Sequence, residues 1–210
     1  MTPEEVAAPD SLNILLAEAG LEKLHDSQLA RFDLYLELIL KWNSRFNLTA
    51  IRDRGGILRR HFVESIACAH ALPPRVKSVL DMGSGAGFPG IPIAICRPDL
   101  AVMLAESQIK KAGFLNEAVR TLELKASVFS GRAESIRITF DCVALRAVDH
   151  MKSAIEAAIP LLNREGWLVV MTTEPCLPET IAAGGTQIGW EVPRNLPGSS
   201  HGIILAGSIK

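Results

Sequence analysis

The chain is 210 residues long, 48% hydrophobic and nearly charge-balanced, with 22 Lys+Arg against 23 Asp+Glu. This composition excludes a disordered or collagen-like chain, and the length fits one domain with an attached element better than two full domains. No apolar run approaches the ~18 residues of a membrane span. The opening MTPEEVAAPD carries acids and no basic stretch, which argues against a secretory signal. Cys68, Cys96, Cys142 and Cys176 lie far apart with no CxxC pair, so buried reduced thiols are expected rather than disulfides or zinc ligands.

Residues 1–75 read as a helical N-terminal element. Ser11 is placed to cap a short helix ended by Gly20, and Asp26 to cap a longer one through LARFDLYLELILKWNSRF. A third helix is expected from about Ile57 to Ala71, after Gly55-Gly56, and Pro73-Pro74 then marks a boundary. Between residues 41 and 61 the six basic side chains of Lys41, Arg45, Arg52, Arg54, Arg59 and Arg60 are opposed by Asp53 alone, with His61 alongside. A solvated helix face accounts for such a cluster. Trp42 and Phe46 are interleaved with it, an arrangement that suits phosphate contact beside base stacking. The two aromatics also continue the helical spacing of Leu36 and Ile39, which favours a place in the core.

Residues 76–210 have a different texture. Val76–Leu80, Ala101–Ala105, Val128-Phe129, Cys142–Leu145 and Trp167–Met171 are short apolar runs, and helix-like stretches lie at Ile109–Leu122 and Met151–Leu162. Strands alternating with helices imply an α/β fold with a doubly wound, mostly parallel sheet. Thr186–Val192 and Gly202–Ala206, joined by a Pro/Gly/Ser connection, fit a closing antiparallel pair.

The first of these strands runs into VLDMGSGAGFPG, four glycines within eight residues. GAGFPG satisfies G-x-G-x-x-G, the dinucleotide-binding pattern in which a pyrophosphate rests on backbone N–H groups at a helix start. Two residues disfavour it here. Asp81 at the strand end would repel phosphates, and Pro89 removes a donor N–H from the helix start. Aligned on Gly83 the pattern is D-x-G-x-G-x-G, which suits a cationic ligand lying close against the backbone. Glu106 ends the next strand, 23 residues after Gly83, where a carboxylate accepts both hydroxyls of a ribose. An acid there indicates a nucleoside without choosing the cofactor; Asp81 makes the choice. Strand, Asp, glycine loop, helix, strand, Glu is the order of a Rossmann-like fold that binds S-adenosylmethionine. A structural turn remains an alternative for the glycines taken alone.

Longer blocks narrow this further. KWNSRFNLTAIRD (Lys41–Asp53), RRHFVESI (Arg59–Ile66), DMGSGAGFPGIPIAI (Asp81–Ile95), ESQIKKAGFL (Glu106–Leu115), GRAE (Gly131–Glu134) and LRAV (Leu145–Val148) follow in that order. Together they resemble the ribosomal small-subunit RNA methyltransferase G family, with FPG-IP narrower than the general methyltransferase loop. The resemblance implies a class I S-adenosylmethionine-dependent methyltransferase acting on N7 of a guanosine in 16S ribosomal RNA, a cytoplasmic monomer with the small ribosomal subunit as partner and no metal. It also implies cofactor contacts at Asp81, Gly83, Ser84, Gly85 and Phe88, ribose binding by Glu106, and an adenine edge at Ala133 and Glu134. Arg146 would stand near the cofactor's reactive end. RNA contacts are expected from Arg52, Arg59, Arg60, Lys110 and Lys111, while for His61 such a contact stands beside packing against the sheet domain. The chain departs from the family in MTTEP (Met171–Pro175), where a Lys-Gly pair is usual, and in Ser200-His201, where a basic residue usually precedes the His. Both departures remove positive charge.

Guanine N7 is unprotonated near neutral pH, so no general base is expected and no catalytic residue is assigned; positioning should dominate. The scattered histidines form no ligand pattern. The alternatives are a methyltransferase of this fold with another RNA or a small-molecule acceptor, and a non-catalytic S-adenosylmethionine-sensing or ribosome-binding protein.

Overall fold

The computed structural model of the chain describes residues 11–146 and 150–210. The expectations at residues 1–10 and at Ala147 and Val148 lie outside the described residues.

Helix α1 (Ser11–Glu18) buries Leu12 and Leu16, and Gly20 follows it at φ 68°. Helix α2 (Asp26–Asn43) buries Leu29, Phe32, Leu36 and Ile39, the stripe that its 3.6-residue period predicts. It stops at Asn43, short of the expected Phe46. The Asn43 side chain takes over the backbone there: Oδ1 accepts the N–H groups of Leu48 (2.9 Å) and Thr49 (3.2 Å), and Nδ2 donates to the carbonyls of Thr49 and Ile51. The third helix starts earlier than Ile57. Asp53 accepts the Gly56 N–H at 2.6 Å and caps a turn, α3 (Arg54–Gly56), so the cap outweighs the two glycines. The chain continues as a π-helical segment, Ile57–Val63, and closes as α4 (Glu64–Ala71).

The sheet contains β1 (Ser78–Met82), β2 (Ala101–Glu106), β3 (Ala126–Ser130), β4 (Phe140–Arg146) and β5 (Leu162–Thr173), parallel in the order β3-β2-β1-β4-β5. Beyond β5 lie β6 (Ile188–Trp190), β7 (Arg194–Asn195) and β8 (Gly202–Ile209). β8 inserts antiparallel between β5 and β6, and β7 pairs with its other end. The expected closing pair is therefore present, with its second strand next to β5. β5 is longer than its apolar run because polar Asn163–Glu165 extends the strand, with an irregularity opposite Phe140 and Cys142.

Alternate strand residues feed two cores. Val79, Val102, Leu104, Cys142 and Val169 join α1, α2, α4, α5 (Gly90–Cys96) and α6 (Ile109–Thr121) on one face. Leu80, Met82, Val143, Leu145 and Leu168 join α7 (Met151–Ala158) on the other. The N-terminal helices thus share one core with a sheet face. Helix α8 (Leu177–Gly184), which packs on α7, was not expected: Pro178 and Gly184 bracket a stretch too short to show a period. All four cysteines are free, but Cys176 is exposed, contrary to the expectation of buried thiols, because it opens α8 on the surface. Among the described residues, no helix is long and apolar enough to cross a membrane.

Strand order reverses between β1 and β4, both starting from the middle of the sheet. In open α/β sheets such a switch point leaves a crevice at the carboxyl ends of the strands.

Candidate active site

The glycine loop leaves β1 at Met82 and enters α5 at Gly90. Gly83 adopts φ 79°, a left-handed conformation that side-chain-bearing residues rarely take, and a Cβ there would meet no protein atom within 4 Å. The open space beside it is a cavity. Gly90 is required for the opposite reason, since a Cβ would fall 2.6 Å from Asp81 Oδ2.

Asp81 is 1% exposed and lies beneath the loop rather than in the cavity wall. Its Oδ2 accepts the Gly90 N–H at 3.0 Å, while Ser84, itself buried, donates its hydroxyl to the Asp81 carbonyl at 2.9 Å. The second carboxylate oxygen, Oδ1, is enclosed and has no partner among the described residues. Burial pushes the carboxyl up from 3.8 to about 7, against the opposing hydrogen bonds and the attraction of Arg146.

The cavity, about 560 Å³, runs along the carboxyl ends of β1 and β2 to the short 3-10 turn Ala133–Ser135 and the first turn of α7. Gly83, Glu106, Ala133 and Glu134 line it, four of the residues expected at the cofactor. Glu106 is held from two sides: Oε2 accepts the Gly85 N–H at 2.9 Å and Oε1 the Gln108 N–H at 2.8 Å. Each oxygen retains acceptor capacity for a further donor, as a pair of ribose hydroxyls requires. Gly85 thus acts through its backbone on Glu106. The cavity, the open approach at Gly83 and the fixed carboxylate together fit an adenosine-bearing ligand.

Phe88 and Arg146 lie on the other side of the loop. Phe88 is buried, with His61 stacked on it at 4.5 Å and 25° and the Arg146 guanidinium 5.7 Å from its ring centre. Arg146 is not a free cation. It donates to Glu64 Oε2 (2.6 Å), Ser65 Oγ (3.0 Å), the Arg60 carbonyl (2.7 Å) and His61 Nδ1 (3.3 Å). The π-helical segment supplies both the Arg60 carbonyl and His61, in keeping with the functional use of such widened turns. Because arginine only donates, His61 Nδ1 accepts and Nε2–H donates to Thr49 Oγ1 at 2.7 Å. Burial, with Arg146 and Arg60 close by, drives the His61 pKa down to about 3, so the ring is neutral.

Arg60, His61, Glu64 and Arg146 form one wall of a second cavity, about 380 Å³, at the carboxyl ends of β4 and β5. Tyr35, the single tyrosine of the chain, anchors the loop from α2 by donating to the Ala86 carbonyl at 2.6 Å. Tyr35, Glu64 and Ser65 were missed from sequence. A lone tyrosine within an apolar helical stripe was the one available signal, since a buried hydroxyl needs a partner.

The expected RNA residues are spread over the same edge. Arg52 is exposed and donates to Asn47 Oδ1 at 2.7 Å, and Arg59 is exposed. Arg60 is shared with Glu64 at 3.2 Å. Lys110 is exposed at the start of α6 with its ammonium 5.1 Å from the Phe46 ring centre, while Lys111 is half-buried. Trp42 is half-buried against Phe114, whereas Phe46 remains exposed. Of the two aromatics, only Trp42 follows the core expectation. Among the described residues, no group of three or more His, Cys, Asp or Glu is placed to hold a metal ion.

The chain is similar to known proteins in fold and in sequence. Among solved structures, the chain superposes on the ribosomal protein L11 methylase of Lactobacillus delbrueckii subsp. bulgaricus with a TM-score of 0.61 at 14% identity, covering 72% of this chain and 79% of that one. It superposes on an O-methyltransferase from Bacillus cereus in complex with SAH with a TM-score of 0.58 at 16% identity, covering 85% and 91%. These likenesses show the Rossmann-like class I methyltransferase fold. In sequence, the chain is 40% identical over 162 residues to the ribosomal RNA small subunit methyltransferase G of Lachnoclostridium phytofermentans, covering 73% of this chain and 66% of the relative. It is 36% identical over 203 residues to the protein of that name from Roseiflexus castenholzii, covering 90% and 86%. The chain thus spans just under two thirds of the length of the first of these. The model of the rRNA small subunit methyltransferase G family matches residues 28–183, and the chain belongs to that family.

Proposed function

We propose that this protein transfers a methyl group from S-adenosylmethionine to N7 of a guanosine in 16S ribosomal RNA, acting on RNA or the small ribosomal subunit in the cytoplasm. The observation that carries the reading is the 560 Å³ cavity with Glu106 fixed at its lip by two backbone N–H groups and Gly83 open beside it. Family membership and the solved methyltransferase in complex with SAH support it.

Bound S-adenosylmethionine supplies a sulfonium methyl, electrophilic enough to be taken by a neutral nitrogen lone pair. The residues of the chain supply position. Glu106 holds the ribose, and Ala133 and Glu134 border the adenine. Asp81, with its unpartnered Oδ1 beneath the loop, places negative potential under a ligand that carries positive charge. With the cofactor bound, the methyl would pass to N7 with the thioether as leaving group, and the positive charge would move to the purine. No proton is lost from N7, so no base is required, and the neutral His61 and the ion-paired Arg146 are consistent with that. The Arg146 cluster acts as a clamp that fixes the π-helical segment and Phe88 against the loop. The exposed Arg52, Arg59 and Lys110, with Phe46, form the RNA-facing edge.

Mass mapping of small-subunit RNA from a deletion strain, before and after complementation, tests the proposal. Loss of one N7-methylguanosine on deletion and its return on complementation are expected; an unchanged N7-methylguanosine content overturns the substrate assignment.

A further inference from the structure

We infer that Glu179 selects the acceptor base, gripping the Watson–Crick edge of guanine in the 380 Å³ cavity; this rests on the methyltransferase reading above. The cavity opens at the carboxyl ends of β4 and β5, beside the cofactor cavity. The first turn of α7 separates the two: Ser153 and Ala154 face the 560 Å³ cavity, and Met151 faces the 380 Å³ one. Met151, Met171 and Leu196 give the second cavity apolar surface, as a slot for an extruded base requires.

Its polar groups are mostly committed. Glu64 accepts from Arg60 with one oxygen and from Arg146 with the other. Thr172 lies 3.5 Å from the Thr180 hydroxyl, and Ser199 Oγ accepts the Gly202 N–H at 2.9 Å. Arg146 donates from its two terminal nitrogens to Glu64, Ser65, His61 and the Arg60 carbonyl. Glu179 on α8 lines the same cavity, is exposed, and makes no hydrogen bond or ion pair among the described residues. It is the uncommitted carboxylate of this site.

A carboxylate is an acceptor pair and matches two adjacent donors. Of the four RNA bases, guanine alone presents such a pair on its Watson–Crick edge, N1–H beside the exocyclic N2 amine. N7 lies on the opposite edge of the purine. A guanine held at N1 and N2 by Glu179 therefore directs N7 away from that carboxylate, into the cavity. Adenine and cytosine place an acceptor against the carboxylate, and uracil offers a single donor.

The test compares ribosomal RNA carrying guanosine or inosine at the methylated position, because inosine keeps N7 and N1–H but lacks the N2 amine. The wild-type protein should favour guanosine about 10- to 100-fold in kcat/KM, the worth of one hydrogen bond to a charged group. In Glu179→Gln that preference should collapse to within about 3-fold, with S-adenosylmethionine affinity unchanged by calorimetry, and Glu179→Asp should retain it. An unchanged preference in Glu179→Gln, or an equal loss on both substrates, overturns the inference. If the wild-type protein forms no N7-methylated purine on either RNA, the methyltransferase reading itself falls, and the inference with it.

Discussion

Replacing Asp81 by asparagine removes a charge from a position 1% exposed to solvent. In the folded chain this carboxyl titrates near 7 instead of 3.8. Between those values the unfolded chain has released a proton that the folded chain keeps. The stability tied to that proton is complete below 3.8 and is lost as pH rises through 7. Each unit is worth about 1.4 kcal/mol, so from about pH 5 to pH 8 the wild type should lose about 2–3 kcal/mol that Asp81→Asn does not lose. For a chain of this size that is a gap of about 5–10 °C in melting temperature. The asparagine carbonyl still accepts the Gly90 N–H, but its amide occupies the enclosed Oδ1 position without an acceptor, costing about 1–3 kcal/mol at every pH. The diagnostic quantity is therefore the pH slope of the difference, read from thermal melts of both proteins at four pH values. Parallel curves would refute the buried-charge account. Calorimetry on the same variant should show weaker S-adenosylmethionine binding.

Breaking the Arg146–Glu64 pair, whose side chains are 12% and 5% exposed, should be strongly destabilising. Arg146→Ala is expected to cost about 3 kcal/mol in urea denaturation because the buried Glu64 keeps only the exposed Arg60 as partner, and Arg146→Met with Glu64→Leu should cost less than Arg146→Ala alone. His61, held at about 3 against an ordinary 6.5, should show no ring titration by NMR between about pH 8 and pH 5. Its depressed pKa contributes stability that is present above 6.5 and is lost as pH falls towards 3, and His61→Gln should flatten that acid limb. Gly83→Val should cost about 1–2 kcal/mol in stability for the left-handed backbone, yet abolish S-adenosylmethionine binding measured by calorimetry. Retained binding would misplace the cofactor.

The parts of this fold carried by local pattern were legible in the sequence. Apolar runs alternating with helical stretches gave the parallel sheet, and the Asp81, Gly83 and Glu106 spacing gave the cavity that those residues now border or support. What depended on partners far along the chain was not legible. Arg146 meets Glu64 across 82 residues and Tyr35 meets Ala86 across 51, separations at which no periodicity speaks. Asp81 was expected against the ligand, yet it lies beneath the loop, since spacing places a residue at a strand end without saying which way its side chain turns. Helix ends failed where side chains replaced backbone partners, at Asn43 and Asp53. α8, and with it Glu179, fell in a short segment bracketed by proline and glycine.

The most direct test is transfer in vitro. Purified protein is incubated with S-adenosylmethionine bearing an isotopically labelled methyl and with unmethylated small ribosomal subunits or their RNA, and the RNA is digested and analysed by mass spectrometry. Label is expected at N7 of a single guanosine. Label on any other atom, or none from protein that binds S-adenosylmethionine, would contradict it.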